Sequence, residues 1–140
     1  MKVRKSTSKI IIHCTATREN QDITTDTIRR WHVVERGWSD IGYHYIIKLD
    51  GTVEKGRSEE LQGAHTKGEN HCSIGIAYVG GCDEKLNPKD TRTENQKEAL
   101  NKLIADLTYK YPDTVVYGHN DFSDKACPCF NAKEEYNLNE

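Results

Sequence analysis

The sequence predicts an α/β fold: a mixed central β-sheet flanked by α-helices. Three observations predict it. Short apolar runs of strand length are interleaved with two longer segments of helical period. Their order reads β-α-β-β-β-α-β. The first run, residues 9–14 (KIIIHC), is apolar on both alternating faces, as a strand in the middle of a sheet is. At 140 residues the chain has the size of one domain, 1–140, with a core of about 9–136.

Each element has its own local reason. In residues 9–14, Ile11 and His13 share one face, while Ile10, Ile12 and Cys14 share the other. Residues 24–36 read as a helix capped by Thr24, with Asp26 in the positive first turn and Ile23 stapled onto Ile28. Ile28, Trp31 and Val34 form its stripe, and Gly37 supplies the stop. Residues 43–49 and 52–55 flank Asp50-Gly51, a type I′ hairpin signal. Tyr43, Tyr45, Ile47 and Leu49 then share a face opposite His44 and Ile46. Residues 73–79 (SIGIAYV) read as a buried strand ended by Gly80-Gly81, and residues 83–92 as a surface loop around Pro88. A helix over 94–110 opens on the capping box Thr93–Gln96, carries Leu100, Leu103, Ile104 and Leu107 on one stripe, and stops before Pro112. Residues 114–118 form the last strand and deliver His119 into a loop; the tail after Tyr136 reads as frayed.

Composition excludes several classes of function. Twenty basic and 22 acidic residues leave a net charge of −2 with no basic stripe, so nucleic acid is not the expected partner. No apolar run approaches the roughly 18 residues of a membrane span. The basic start MKVRKSTSK is followed by no apolar stretch, so no secretory signal is expected and the chain reads as made in a reducing cytoplasm. Five cysteines, an odd number, argue against a disulfide framework. Cys14, Cys72 and Cys82 read as small packing residues.

Six histidines and a C-terminal Lys-Ala-Cys-Pro-Cys raise a metal hypothesis. His13 ends a central strand, His119 lies just past another, and Cys127 follows eight residues later. Two imidazoles and a thiolate suit a catalytic zinc that keeps its fourth position for water. Spacing alone does not choose His13 over His44, or Cys127 over Cys129.

The segments His13-Cys14-Thr15-Ala16-Thr17, Gly37-Trp38, Gly42-Tyr43-His44, Asp50-Gly51-Thr52-Val53, Gly56-Arg57, His65, Asn70 with Ser73-Ile74-Gly75, and Lys125-Ala126-Cys127-Pro128 resemble the zinc N-acetylmuramoyl-L-alanine amidases. The similarity is to the small bacteriophage lysozyme type, within the superfamily of the peptidoglycan recognition proteins, and runs from about Ile10 to Phe130. The resemblance implies a peptidoglycan recognition protein-like fold and one Zn2+ held by His13, His119 and Cys127. It implies Tyr43 and Lys125 as the catalytic pair, His65 at the substrate, and Arg57 either at a substrate carboxylate or supporting the hairpin. Lys125 stands two residues from Cys127, so in an extended segment both side chains face one way, and Cys129 joins them as a rival ligand. The implied partner is peptidoglycan or a muropeptide, engaged by a monomer with no nucleic acid and no membrane. The implied place of action is the cell wall, reached by a phage or prophage lysis route. Two other readings differ in class: a peptidoglycan-binding module that does not cut, and a regulator of a protein partner. Retention of all three ligand positions with Tyr43 and Lys125 favours the hydrolase.

Overall fold

The computed structural model of the chain describes residues 1–137. Its elements are β1 (Lys9–Cys14), β2 (Thr17–Arg18), α1 (Thr25–Arg30), β3 (Tyr45–Ile47), β4 (Val53–Lys55), β5 (Ser73–Tyr78), β6 (Gly81–Cys82), α2 (Glu94–Lys110), β7 (Val115–Gly118) and α3 (Ala132–Tyr136). The main sheet has the order β4-β3-β5-β1-β7, and β2 pairs with β6 apart from it. β3, β5, β1 and β7 run parallel, while β4 returns antiparallel to β3. The sheet is therefore mixed, and β1 is an interior strand between β5 and β7, as its two-sided apolar pattern predicts.

The two faces of the sheet differ. Ile10, Ile12 and Cys14 of β1, with Ile74, Ile76 and Tyr78 of β5, pack against Leu100, Ile104 and Leu107 of α2. The Thr93–Gln96 capping box forms as predicted. Buried Gln96 also donates to the carbonyls of Ile47 and Val79, locking the start of α2 to the sheet. On the opposite face Ile23, Ile28, Ile41, Ile46 and Val79 make a smaller cluster beneath α1.

Register positions the site. β1 and β7 run parallel with Ile12 opposite Gly118. The next residues along, His13 and His119, therefore emerge side by side at the carboxyl end of the sheet, where α/β sheets open into ligand crevices.

Several predicted elements depart from expectation. The helix over 24–36 is α-helical only to Arg30, and Trp31–Glu35 winds as a π-turn closed by Arg36 N–H to the Trp31 carbonyl. The wider turn takes Val34 off the apolar stripe and leaves it exposed, whereas Trp31, His32, Glu35 and Arg36 line a cleft. The hairpin loop has three residues, not two. Gly51 N–H bonds the Lys48 carbonyl, Lys48 N–H bonds the Thr52 carbonyl, and Gly51 takes φ +90, the position that relieves a glycine-type bulge. Tyr43 precedes β3 and packs on the α1 side with Ile46, while Tyr45 packs toward α2, so the predicted alternation fails there. The 83–92 loop buries its last residue. Arg92 bonds both oxygens of Asp90 and of Glu135 and lies 3.4 Å from the Phe130 ring centroid, anchoring α3, a helix the sequence reading did not contain. Asn137 pairs its side-chain amide with both backbone groups of Val116, covering the free edge of β7. The rest of the tail predicted to fray, 138–140, lies outside the described residues.

Candidate active site

A cleft of about 820 Å³ opens at the carboxyl ends of β1 and β7. His13, His119 and Cys127 meet at its floor, their ligand atoms all within 4.8 Å of one another. The Cys127 Sγ lies 4.0 Å from His13 Nδ1, and the His13 and His119 rings stand 4.7 Å apart. Among the described residues no other cluster of metal-ligating side chains comes together.

Local chain geometry explains the choice of donors. Residues 125–129 are not extended. A turn closed by Cys129 N–H to the Ala126 carbonyl reverses the chain at Pro128, and Tyr78 holds the Pro128 carbonyl through its hydroxyl at 2.6 Å. The turn leaves Cys127 lining the cleft and turns Cys129 away from it, where its thiol donates to the Gly81 carbonyl. Cys129 is not part of the cluster that His13, His119 and Cys127 form. His44 is excluded by its own bonds. Its Nδ1 accepts from Gly75 N–H, so Nε2 carries the proton and donates to the Leu61 carbonyl at 2.8 Å.

The electrostatics suit a cation. Burial holds His13 well below the usual histidine range and lowers His119, so both imidazoles are neutral near pH 7. The Cys127 thiol is lowered by hydrogen bonding from the Cys14 side chain, assisted by the Cys14 backbone N–H at 3.2 Å. The complementary effect pushes the Cys14 thiol up to about 12. Cys14 packs in the core as its sequence context suggests, and its backbone N–H also reaches the Cys127 sulfur. Its alternation with His13 along β1 carried no signal of this, because Cys127 is 113 positions distant. Two neutral imidazoles and a thiol whose pKa is lowered are the donor set that zinc takes.

The remaining predicted residues separate into two groups. Tyr43 and Lys125 line the cleft, with the Tyr43 ring 5.2 Å from that of His13. Burial raises the Tyr43 phenol, which stays a protonated hydrogen-bond donor. Arg57 lies elsewhere. It is buried and donates to the carbonyls of Ile41, Gln62 and Asp40, so its donors are committed to the loops beside the hairpin. The supporting role, not a substrate carboxylate, fits that geometry. His65 borders the cleft, but its ring nitrogens face His13 and Ser73 inside the protein, leaving neither free for substrate. Residues given no role in the site by the sequence also shape it: His32 accepts from Gly42 N–H with its ring tilted against Trp38, and Thr66 reaches His13.

The sequence profile described as N-acetylmuramoyl-L-alanine amidase matches residues 3–130. The chain belongs to the N-acetylmuramoyl-L-alanine amidase family. It is 45% identical to the endolysin of Escherichia phage T7 over 139 residues, 99% of this chain and 91% of that protein. It is 44% identical to the endolysin of Klebsiella phage KP32 over 137 residues, 98% and 90% respectively. The solved amidase LysC from Clostridium intestinale shares 34% identity and superposes with a TM-score of 0.79, over 93% of this chain and 81% of that one. The predicted fold and family are those found, and no helix of the described residues is long and apolar enough to cross a membrane.

Proposed function

We propose that this amidase hydrolyses the bond between the lactyl group of N-acetylmuramic acid and the L-alanine of the stem peptide, acting on bacterial cell walls as an endolysin. The convergence of His13, His119 and Cys127 at the floor of the cleft carries this reading. These three residues would hold one Zn2+. When bound, zinc supplies Lewis-acid chemistry, polarising an amide carbonyl and lowering the pKa of water toward neutrality.

The protein's own groups do the rest. Hydrolysis adds water to the amide carbon, breaks the C–N bond and returns a proton to the leaving amine. Cationic Lys125, at the exposed edge of the cleft, faces charge that develops on the carbonyl oxygen. Tyr43, kept as a phenol by burial, hydrogen-bonds the reacting oxygens beside His13. His32 meets the Tyr43 ring edge-on in the cleft wall, and Trp38 backs His32.

Mass spectrometry of purified peptidoglycan digested with zinc-loaded protein tests the assignment. Free stem peptides beginning with L-alanine, alongside uncut glycan strands, are expected, and chelation should stop their release. Glycan fragments, or undiminished release from zinc-free protein, would overturn it.

A further inference from the structure

We propose that His65, Thr66 and Ser73 are positioning residues: a one-way chain of hydrogen bonds that starts at the Glu69 carbonyl sets the tautomer of His13 and aims its Nδ1 lone pair at the metal. The proposal rests on His13 being a metal ligand.

The contacts form one path. His13 Nε2 lies 2.9 Å from His65 Nδ1 and 3.2 Å from Thr66 Oγ1, and these two atoms lie 2.9 Å from each other. The other His65 nitrogen, Nε2, is 3.4 Å from Ser73 Oγ, which lies 2.6 Å from the Glu69 carbonyl.

Hydrogen counting gives the path a direction. A carbonyl only accepts, so Ser73 spends its one hydroxyl hydrogen on Glu69. Ser73 then turns lone pairs toward His65, whose Nε2 must carry the proton. A neutral imidazole with its proton on Nε2 is an acceptor at Nδ1, the atom that meets His13 and Thr66. His13 Nε2 is left as the donor, either to His65 Nδ1 directly or to Thr66, whose hydroxyl passes its own hydrogen to His65. In both cases His13 Nδ1 bears no proton, and Nδ1 is the atom that faces Cys127.

The surroundings hold this chain in place. Asn70 Oδ1 accepts the backbone N–H groups of both His65 and Thr66, at 3.1 and 3.0 Å, pinning the loop that carries them. The His65 ring lies against Gly63 and Gly75, where an added Cβ would come within 2.6 and 2.5 Å of it. Thr66 and Ser73 are buried. A histidine ligand whose second nitrogen is fixed in this way binds metal better, and loss of such a partner typically costs about 10–100-fold in affinity.

Zinc dissociation constants from competition with a fluorescent chelator test the chain, alongside nitrogen-15 imidazole spectra of the zinc-loaded protein. His65→Phe and Thr66→Val should each weaken zinc, His65→Phe by about 10–100-fold. His65→Asn, with its amide oxygen near the place of Nδ1, should recover most of the loss. Ser73→Ala should weaken zinc by a smaller factor and shift the His65 proton toward Nδ1. Thermal melts of the zinc-free variants identify any that fail to fold, and Thr66→Val, the smallest change, then decides the matter. Wild-type affinity in folded Thr66→Val and His65→Phe, or a spectrum with the His13 proton on Nδ1, would overturn the chain while leaving the amidase assignment standing. Failure of the wild-type protein to take up one zinc would remove the metal reading itself, and this proposal with it.

Discussion

Ile12 and His13 are consecutive residues of one strand, yet they face two different proteins in miniature. Ile12 looks toward α2, into a layer of isoleucine and leucine side chains closed to solvent. His13 looks toward the cleft, where it meets the rings of Tyr43, His65 and His119 and the thiol of Cys127. Among the described residues no fully buried side-chain nitrogen or oxygen lacks a partner. The first face is held by area, which tolerates small errors of position. The second is held by direction, and a single lost bond there strands a polar group in low dielectric. Placing both on one sheet lets the α2 side supply rigidity while the cleft side spends its residues on chemistry.

The strongest way to break this contrast is at Pro128, where the two environments lie two residues apart. Cys127→Ser should lower zinc affinity by more than the roughly hundredfold that losing an outer partner costs, and should abolish peptidoglycan cleavage. Cys129→Ser should leave one zinc per chain, because its thiol meets the Gly81 carbonyl on the other side of the turn. Metal analysis of the two purified variants decides between them, and the reverse pattern would exchange their roles. Next in size is Tyr43→Phe, which should retain zinc and lose roughly 10²–10⁴-fold in turnover, the range for a lost proton-transfer or hydrogen-bonding group. Wild-type turnover in that variant would remove Tyr43 from the reaction.

On the α2 side the same logic predicts a different signature. Leu100 is fully buried in one cluster with Ile10, Ile12 and Ile76 and does not line the cleft. Leu100→Ala should cost about 2–5 kcal/mol of stability, read by chemical denaturation, with zinc stoichiometry unchanged. A variant that lost zinc but kept its stability would mean that the two faces are not separable.

The two faces were also unequally legible in the sequence. α2 appears with the predicted bounds, 94–110, because its apolar stripe has a period and its capping box is a local pattern. β1 was legible for the same reason. On the cleft side, His13, His119 and Cys127 could be named only because they resemble a family's motifs; composition and spacing left His44 and Cys129 open. What excludes those two is a Gly75 N–H and a reversal at Pro128, contacts that have no period and link distant positions. Arg57 stayed open for a related reason: the sequence allowed either a substrate carboxylate or support of the hairpin, and only the three carbonyls around it show where its donors go. The π-turn at Trp31–Glu35 follows from no propensity rule, since its residues read as ordinary helix.

The smallest predicted effect sits at the rim of the α2 side, outside the cleft, and pH isolates it. The Glu59 carboxylate takes hydrogen bonds from Tyr45, from Tyr111 at 2.6 Å and from Lys110 at 2.7 Å, tying β3 to the end of α2. Burial alone would push this carboxyl up, but the bonds from Lys110, Tyr111 and Tyr45 outweigh it and hold the group down at about 2. Its folded pKa is therefore below its unfolded one. The unfolded chain takes the proton first as pH falls, so the stabilisation is fully present above the ordinary carboxylate range and is lost on the way down to about 2. Glu59→Gln should accordingly melt below the wild type at pH 7, and the gap should close as the pH approaches 2. Melting curves of zinc-free protein keep metal release out of the measurement. A gap that persisted in acid would mean that Glu59 acts through shape, as the α2-side core does. A closing gap with undiminished peptidoglycan cleavage at pH 7 would place a directional, charge-dependent bond on the supporting side of the sheet, and the division between area and direction would then follow solvent access and not function.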